Sequence, residues 1–197
     1  MIKKIYFCLK NSKKSLKMFK KILIVGCGLI GSSILRGSIA KKISKHFFVY
    51  EKSQKNIQKI KKINSKIIIL KKLDHNLSDI EFVVLSTPMS EYNKIVPNLN
   101  KFLNKNCLIT DVSSTKENIL KLKNKKLSKS LDWITSHPIS GSEVSGPEYG
   151  TKNLFVKKWC VVVSDKNKLK QNKLLKFWKK LGSKVIIMDA KIHDKIS

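Results

Sequence analysis

The sequence predicts an α/β fold in which a doubly wound, mostly parallel sheet is covered by helices on both faces. Short runs of apolar, often β-branched residues alternate with longer stretches of helical periodicity. Most of the short runs are apolar at every position, as expected of strands that are buried on both faces. The chain of 197 residues, 42% of them hydrophobic, is long enough to bury a core of this kind.

Strands and helices are predicted in alternation from residue 18 onward. Residues 1–17 are basic and lack periodicity, and we expect either a leader or sequence that precedes a true start at Met18. No repeat of fixed period interrupts the order of the elements. Predicted strands cover residues 22–25, 47–50, 67–70, 82–85, 107–110, 132–135, 159–163 and 184–188, and predicted helices cover residues 29–40, 54–62 and 166–181.

The net charge of +29 is the most unusual feature of the composition, because 42 Lys and Arg oppose only 13 Asp and Glu. Such a charge raises nucleic acid as a partner. The lysines, however, are spread along the whole chain, and Arg36 is the only arginine. Recognition of phosphates and bases usually relies on clustered arginines with their bidentate geometry. We therefore predict no nucleic-acid partner.

Neither a membrane segment nor a metal site is predicted. No apolar run approaches the roughly 18 residues that a membrane span needs. The four cysteines, Cys8, Cys27, Cys107 and Cys160, have no metal-ligand spacing and indicate no disulfide framework. We expect a cytoplasmic protein that has neither a metal nor a membrane partner.

A glycine motif follows the first predicted strand and opens the first predicted helix. It has the pattern G-x-G-x-x-G in the strand-to-helix setting that dinucleotide binding requires. The first glycine allows a tight turn, the second lets the backbone approach a pyrophosphate, and the third permits close helix packing. We predict a Rossmann-like, NAD(P)-binding domain whose loop contacts to the cofactor come from Gly26, Gly28, Leu29, Ile30 and Gly31.

The second predicted strand ends in an acidic residue at the distance expected of a ribose ligand. Glu51 lies 20 residues after Gly31, and its carboxylate would accept hydrogen bonds from the ribose hydroxyls and repel a 2′-phosphate, which favours NAD. Lys52 and Ser53 could hold a 2′-phosphate, so NADP stays open. The fourth strand ends in Ser86, Thr87 and Pro88, where we expect the chain to pass close to the cofactor.

A loop with little apolar character follows the strand predicted at residues 132–135. It runs from His137 to Gly150 with hydroxyls, glycines and two carboxylates, a composition typical of a catalytic loop. His137 can act as a general base because the ordinary pKa of histidine lies near neutrality. After the fifth strand, Ser113 and Ser114 offer hydroxyls, although either could instead cap a helix, with Glu117 completing a capping box.

Together these motifs resemble the prephenate dehydrogenase family, including its arogenate-using members. The matching segments lie in the family's order at residues 26–33, 85–88, 110–116 and 137–150, with His193 and Asp194 near the end. The segment at residues 137–150 is the most specific, whereas many dehydrogenases share the glycine motif. The resemblance implies that residues 18–190 form a dinucleotide-binding catalytic domain and that residues 191–197 begin a helical dimerisation domain.

The resemblance also implies oxidative decarboxylation of prephenate or arogenate in tyrosine biosynthesis, with hydride transfer to NAD or NADP. His137 would take the proton of the ring hydroxyl, and Ser113 would hydrogen-bond that hydroxyl or orient the histidine. Such proton transfer typically contributes about 10² to 10⁴ in rate, while the cofactor carries the hydride chemistry. The residues implied to contact the substrate are Ser142, Glu143 and His193.

The chain ends where the resemblance places the start of the helical domain. In the family that domain supplies the dimer interface and an arginine that holds the carboxylates of the substrate. We therefore expect a truncated form, for which the homodimer of the family stays open. Two alternatives remain. One is another NAD(P)-dependent dehydrogenase acting on a hydroxy acid, which leaves the loop after His137 unexplained, and the other is a nucleotide-binding fragment without catalysis.

Overall fold

A computed structural model describes residues 17–128, 130–141 and 143–196. Most of the strands form one parallel sheet with the strand order β3-β2-β1-β4-β5-β6. The order reverses between β1 and β4, which is the arrangement of a doubly wound Rossmann-like sheet. The predicted fold class is thereby confirmed. The six strands are β1 (Phe19–Val25), β2 (Ser44–Tyr50), β3 (Ile68–Leu70), β4 (Phe82–Leu85), β5 (Leu108–Asp111) and β6 (Asp132–Trp133).

Six helices accompany the strands in the described part of the chain. They are α1 (Leu29–Ala40), α2 (Gln54–Ile63), α3 (Tyr92–Phe102), α4 (Glu117–Lys126), α5 (Lys168–Leu181) and α6 (Ala190–Ile196). Helices α1, α2 and α5 lie within two residues of their predicted bounds at each end, whereas no bounds were predicted for α3, α4 and α6. Among the described residues, no helix has the length and apolarity needed to cross a membrane.

The parallel sheet is buried on both faces, as its apolar strands predict. In β1, Ile22 and Ile24 point into one core cluster, and Leu23 and Val25 point into the other. The first cluster is completed by α1, α2 and α5, and the second by α3 and α4. The period-2 geometry of a strand thus lets one short apolar run bind the two helical layers together.

The last three strands form a second, smaller sheet, which corrects the prediction of a single one. It contains β7 (Ser136–Pro138), β8 (Trp159–Val163) and β9 (Lys184–Met188). Strand β7 is antiparallel to β8, and β8 is parallel to β9. The strand predicted at residues 132–135 is therefore divided: β6 ends at Trp133, and the amide of Val163 bonds the carbonyl of Thr135 as the chain enters the second sheet.

The loops that carry the predicted functional residues meet at one edge of the parallel sheet. Strands β1, β2, β4 and β5 all end there, so the residues that follow each of them lie beside the crevice where doubly wound folds bind ligands. The second sheet is attached at the same edge, because the Ser136 hydroxyl donates a hydrogen bond of 2.8 Å to the carbonyl of Asp111. This contact places His137 beside the end of β5.

Candidate active site

A cavity of about 290 Å³ lies at the carboxyl edge of the parallel sheet, where the glycine loop faces the ends of β2 and β4. Every strand-end residue predicted to hold a dinucleotide borders it, together with part of the glycine loop. The lining residues are Gly26, Cys27, Gly28, Tyr50, Glu51, Lys52, Ser86, Thr87, Pro88, Glu91 and Ile95. The topology thus brings together residues that are up to 69 positions apart in the sequence, from Gly26 to Ile95.

The glycines of the loop have different surroundings. Gly26 has a φ of +78°, and a β-carbon there would lie 2.4 Å from Thr87 Cγ2. A β-carbon on Gly31 would lie 2.4 Å from the carbonyl oxygen of Gly26, so this glycine permits the close packing of α1 on the loop. At Gly28 a β-carbon would meet nothing within 4 Å. The open space at Gly28 is where the backbone can be approached by a ligand.

The N-terminus of α1 faces this loop without a capping side chain. Gly28 occupies the N-cap position and makes no side-chain hydrogen bond, and Leu29 and Ile30 form the first turn. The first N–H groups of a helix have no partner inside the helix and attract anions such as a pyrophosphate. The loop therefore offers both the space and the donors for such a group.

Glu51 is fixed against the glycine loop by two backbone groups. Its carboxylate accepts a hydrogen bond of 2.9 Å from the amide of Cys27 and another of 2.9 Å from the amide of Ser53. Lys52 pairs with Glu91, and this hydrogen bond raises the pKa of the lysine above its ordinary value. The hydroxyl of Ser53 caps α2. Both groups suggested for a 2′-phosphate are thus engaged elsewhere.

The turn after β4 supplies one hydroxyl to the loop and leaves another without a partner. Ser86 Oγ donates a hydrogen bond of 2.6 Å to the carbonyl of Gly26, which ties β4 to the glycine loop. Thr87 Oγ1 is buried and has no hydrogen-bond partner among the described residues. Burying an unpaired hydroxyl costs free energy, so its presence beside the cavity fits a polar ligand. With the open space at Gly28, the residues present fit a dinucleotide.

His137 belongs to a chain of three side chains near the end of β5. Its Nδ1 lies 2.9 Å from Nε2 of His193, and Nδ1 of His193 lies 2.7 Å from a carboxylate oxygen of Asp194. His193 is fully buried, whereas His137 is half-buried. The structure thus brings two predicted site residues together. The prediction that His193 contacts the substrate stays a prediction, because this geometry places it against His137.

The surroundings of His137 favour a neutral ring. Burial, followed by the cation of Lys116 and the ring of His193, lowers its pKa to about 4 against the opposing effect of Asp111 and Asp194. A histidine that is neutral near neutral pH has a free lone pair and can accept a proton. His137 is therefore in the protonation state that a general base requires.

A buried ion pair, which was not predicted from the sequence, supports this region. The ammonium of Lys116, which is fully buried, lies 2.8 Å from the carboxylate of Asp111. It also donates hydrogen bonds to Thr135 Oγ1 at 2.6 Å and to the carbonyl of Ser136 at 2.8 Å. An acidic residue at the end of an apolar strand was the available signal, but nothing in the sequence identifies its partner among 42 basic residues.

The alternative in which Ser113 or Ser114 caps a helix is wrong. Helix α4 begins at Glu117, and its first amides are bound by the carboxylate of Asp194. The hydroxyl of Ser113 instead donates to the carboxylate of Asp111 and lies 3.2 Å from the ammonium of Lys116. Its predicted contact with a substrate hydroxyl or with His137 stays a prediction.

An apolar groove of about 400 Å³ adjoins His137 on the second sheet. Residues Ile139, Trp159, Val161, Ile186, Met188, His193 and Ile196 complete its lining. Glu143 is exposed on the loop that follows β7, and Ser142 lies outside the described residues. Their predicted contacts with substrate stay predictions. Among the described residues, no group of three or more His, Cys, Asp or Glu side chains could hold a metal ion.

Comparisons with known proteins agree with the geometry. The family model of the prephenate dehydrogenase nucleotide-binding domain matches residues 37–187. Prephenate dehydrogenase of Lactococcus lactis subsp. cremoris is 33% identical over an alignment of 184 residues, and the match covers 90% of this chain and 49% of that protein. Cyclohexadienyl dehydrogenase of Zymomonas mobilis is 25% identical over 181 residues, which make up 91% of this chain and 61% of that protein.

A solved structure shows the same relationship. Prephenate dehydrogenase from A. aeolicus, in complex with hydroxyphenyl propionate and NAD+, superposes with a TM-score of 0.83 at 26% sequence identity. The superposition covers 93% of this chain and 64% of that one. The chain spans about half the length of the L. lactis relative, and the family match covers most of the chain. The resemblance predicted from the motifs is confirmed, and the chain belongs to the prephenate dehydrogenase family through its nucleotide-binding domain.

Proposed function

We propose that this chain binds NAD and supplies the general base of a dehydrogenase that oxidises prephenate or arogenate with loss of carbon dioxide. The observation that carries the proposal is the position of His137 relative to the nucleotide cavity. The cavity lies at the ends of β1, β2 and β4, and His137 lies on β7 next to Ser136, whose hydroxyl bonds the last residue of β5, the neighbour of β4. Strand spacing puts β5 about 10 Å from β1, within reach of a dinucleotide that extends along this edge.

Different residues of the chain would bind the cofactor and transfer the proton. The glycine loop and the N-terminus of α1 would hold the pyrophosphate, Glu51 would accept hydrogen bonds from the ribose, and Thr87 Oγ1 would gain a partner. His137 would take the proton of the ring hydroxyl as hydride leaves the same carbon, and loss of carbon dioxide from the ring then leaves it aromatic. Bound NAD would accept the hydride.

The engagement of Lys52 and Ser53 supports NAD over NADP. A carboxylate at the ribose position repels a 2′-phosphate, and Lys52, the cation beside it, is paired with Glu91. A 2′-phosphate would therefore have to share the countercharge of Lys52 with Glu91. We expect NAD to bind at least about tenfold more tightly than NADP, equivalent to about 1.4 kcal/mol.

Reduction of NAD by the purified chain tests the proposal. Prephenate and arogenate are offered separately, NADP serves as the alternative acceptor, and calorimetry measures cofactor binding in parallel. We expect turnover with one substrate, and His137→Asn should abolish it while the affinity for NAD changes less than about twofold, because the ring acts on the proton. Absence of NAD binding, or full turnover by His137→Asn, would contradict the proposal.

A second candidate function rests on the nucleotide cavity alone, which this chain builds from its own residues. The chain spans 49% of the L. lactis protein. The alternative is a nucleotide-binding unit without catalysis of its own. NAD binding without turnover of either substrate would support this alternative over the dehydrogenase.

A further inference from the structure

We infer that His193 and Asp194 are positioning residues that fix the tautomer of His137, with the proton on Nδ1 and a free lone pair on Nε2. The assignment follows from the order of donors and acceptors along three side chains. Its consequence for catalysis rests on the proposed function, whereas the tautomer itself rests on the geometry alone. It also gives the buried His193 a role distinct from the substrate contact implied by the family resemblance.

The carboxylate of Asp194 determines the direction of the two hydrogen bonds that link Asp194, His193 and His137. An ionised carboxylate can only accept, so Nδ1 of His193, 2.7 Å from Asp194, must carry a proton. In the neutral form of His193, which the inference takes, the lone pair is then on Nε2. That nitrogen lies 2.9 Å from Nδ1 of His137 and can only accept, so Nδ1 of His137 must donate. Nε2 of His137 is left as the basic nitrogen.

The fold favours the ionised form of Asp194 and holds its carboxylate by hydrogen bonds. Its carboxylate accepts hydrogen bonds of 2.8 Å from the amide of Lys116 and 2.8 Å from the amide of Glu117, at the N-terminus of α4. Burial alone would raise the pKa of Asp194, but these amides and the ring of His193 hold it below its ordinary value. The positive end of the α4 dipole acts in the same direction. The carboxylate of Asp194, which lies on α6, is therefore anchored by the N-terminus of α4.

The same arrangement prepares His137 for the charge that it gains on accepting a proton. The titratable groups that act on the ring are Lys116, His193, Asp111 and Asp194. Lys116 opposes a second positive charge, whereas the hydrogen bond through His193 connects the ring to the negative charge of Asp194. We expect the two positioning residues to offset part of the repulsion from Lys116 as the proton arrives.

Nitrogen NMR of the imidazole rings tests the tautomer directly and requires no turnover. The purified chain is labelled with ¹⁵N in its four histidines, and the ring signals are assigned with single His→Gln variants. At neutral pH we expect His137 to carry one proton on Nδ1. A proton on Nε2 of His137, a doubly protonated His137 or a doubly protonated His193 would overturn the inference.

An isosteric substitution of Asp194 should reverse the tautomer of His137. In Asp194→Asn, the amide oxygen can take the place of Oδ2, which accepts from the amide of Glu117 at 2.8 Å and from the amide of Lys116 at 3.1 Å, while the NH₂ group takes the place of Oδ1 and donates to Nδ1 of His193. His193 must then carry its proton on Nε2 and donate to His137, which moves the His137 proton to Nε2. The matched control is Asp189→Asn, which makes the same change at the exposed residue preceding α6 and should leave the tautomer unchanged. An unchanged tautomer in Asp194→Asn would overturn the inference.

If Asp194→Asn does not fold, variants of His193 test whether this residue fixes the tautomer of His137. His193→Gln keeps one donor and one acceptor and should preserve the proton on Nδ1 of His137. His193→Leu has neither, so the tautomer of His137 should no longer be fixed. Identical ring spectra of His137 in the two variants would contradict a positioning role. If the wild-type chain turns over substrate, Asp194→Asn should lower kcat by about 10²-fold or more with the KM for NAD unchanged. If the wild-type chain does not turn over substrate, the NMR result still tests the tautomer. Failure of the tautomer inference is thus distinguishable from failure of the proposed function.

Discussion

At the scale of single residues, Gly28 and Gly31 of the glycine loop differ in the space around them. We expect Gly28 to matter for NAD binding and Gly31 for the stability of the fold. A β-carbon on Gly28 would meet no atom within 4 Å, whereas one on Gly31 would lie 2.4 Å from the backbone of Gly26. We expect Gly28→Val to weaken NAD binding at least about 10²-fold while the free energy of unfolding falls by only about 1 kcal/mol, the scale of an altered N-cap. Calorimetry and urea denaturation provide the two measurements.

Gly31→Val provides the matched control for that prediction. The added side chain would collide with the carbonyl of Gly26 and with Ser86 Oγ, 2.6 Å away. We expect its cost in unfolding free energy to reach about 2 to 3 kcal/mol, as for overpacking in a dense core. Unchanged NAD affinity in Gly28→Val would mean that the ligand approaches the protein elsewhere.

At the scale of secondary structure, Lys116 is the residue through which several elements are joined. It immediately precedes α4, pairs with Asp111 at the end of β5, donates to Ser136 on β7, and through its amide binds Asp194 on α6. Lys116→Met would leave the carboxylate of Asp111 buried without its countercharge. We expect the free energy of unfolding to fall by about 3 to 5 kcal/mol.

Urea denaturation, monitored by tryptophan fluorescence, can measure this effect. The control is Lys121→Met, at an exposed position of the same helix, which should change the stability by no more than about 0.5 kcal/mol. The double variant Lys116→Met with Asp111→Asn should recover part of the loss, because no charge is then left unpaired. A cost below about 1 kcal/mol for Lys116→Met would show that the pair contributes little.

The elements themselves were largely predictable, because apolar runs and glycine turns are local signals. Strands β4, β8 and β9 and helix α1 have the predicted bounds. The change of sheet between β6, which ends at Trp133, and β7, which begins at Ser136, was not predictable, since alternation of side chains does not reveal which sheet a strand joins. The same limit applies to Asp194, which binds the first amides of α4 from 78 residues away. Contacts of this range follow from packing, for which the sequence has no local signal.

At the scale of the whole molecule, the net charge of +29 is expected to oppose the compact state. Apart from the buried Lys116–Asp111 pair, several acidic residues form ion pairs that are partly exposed, as in Lys21–Asp79 and Lys59–Glu148. Such pairs contribute about 0.2 to 1 kcal/mol each and weaken in salt. Repulsion among 42 basic residues weakens in salt as well, and with only 13 acidic residues to offset it, repulsion is the larger of the two effects.

Raising the ionic strength should therefore stabilise the protein. The screening length shortens from about 30 Å at 0.01 M salt to about 8 Å at 0.15 M, which removes repulsion across the molecule before it removes attraction within a close pair. We expect the free energy of unfolding in urea, an uncharged denaturant, to rise by on the order of 1 kcal/mol, the scale of exposed charge interactions. NaCl and KCl should act alike, because screening depends on ionic strength alone. A stability that falls with salt would show that the ion pairs outweigh the repulsion, and a difference between the two salts would indicate binding of a particular ion.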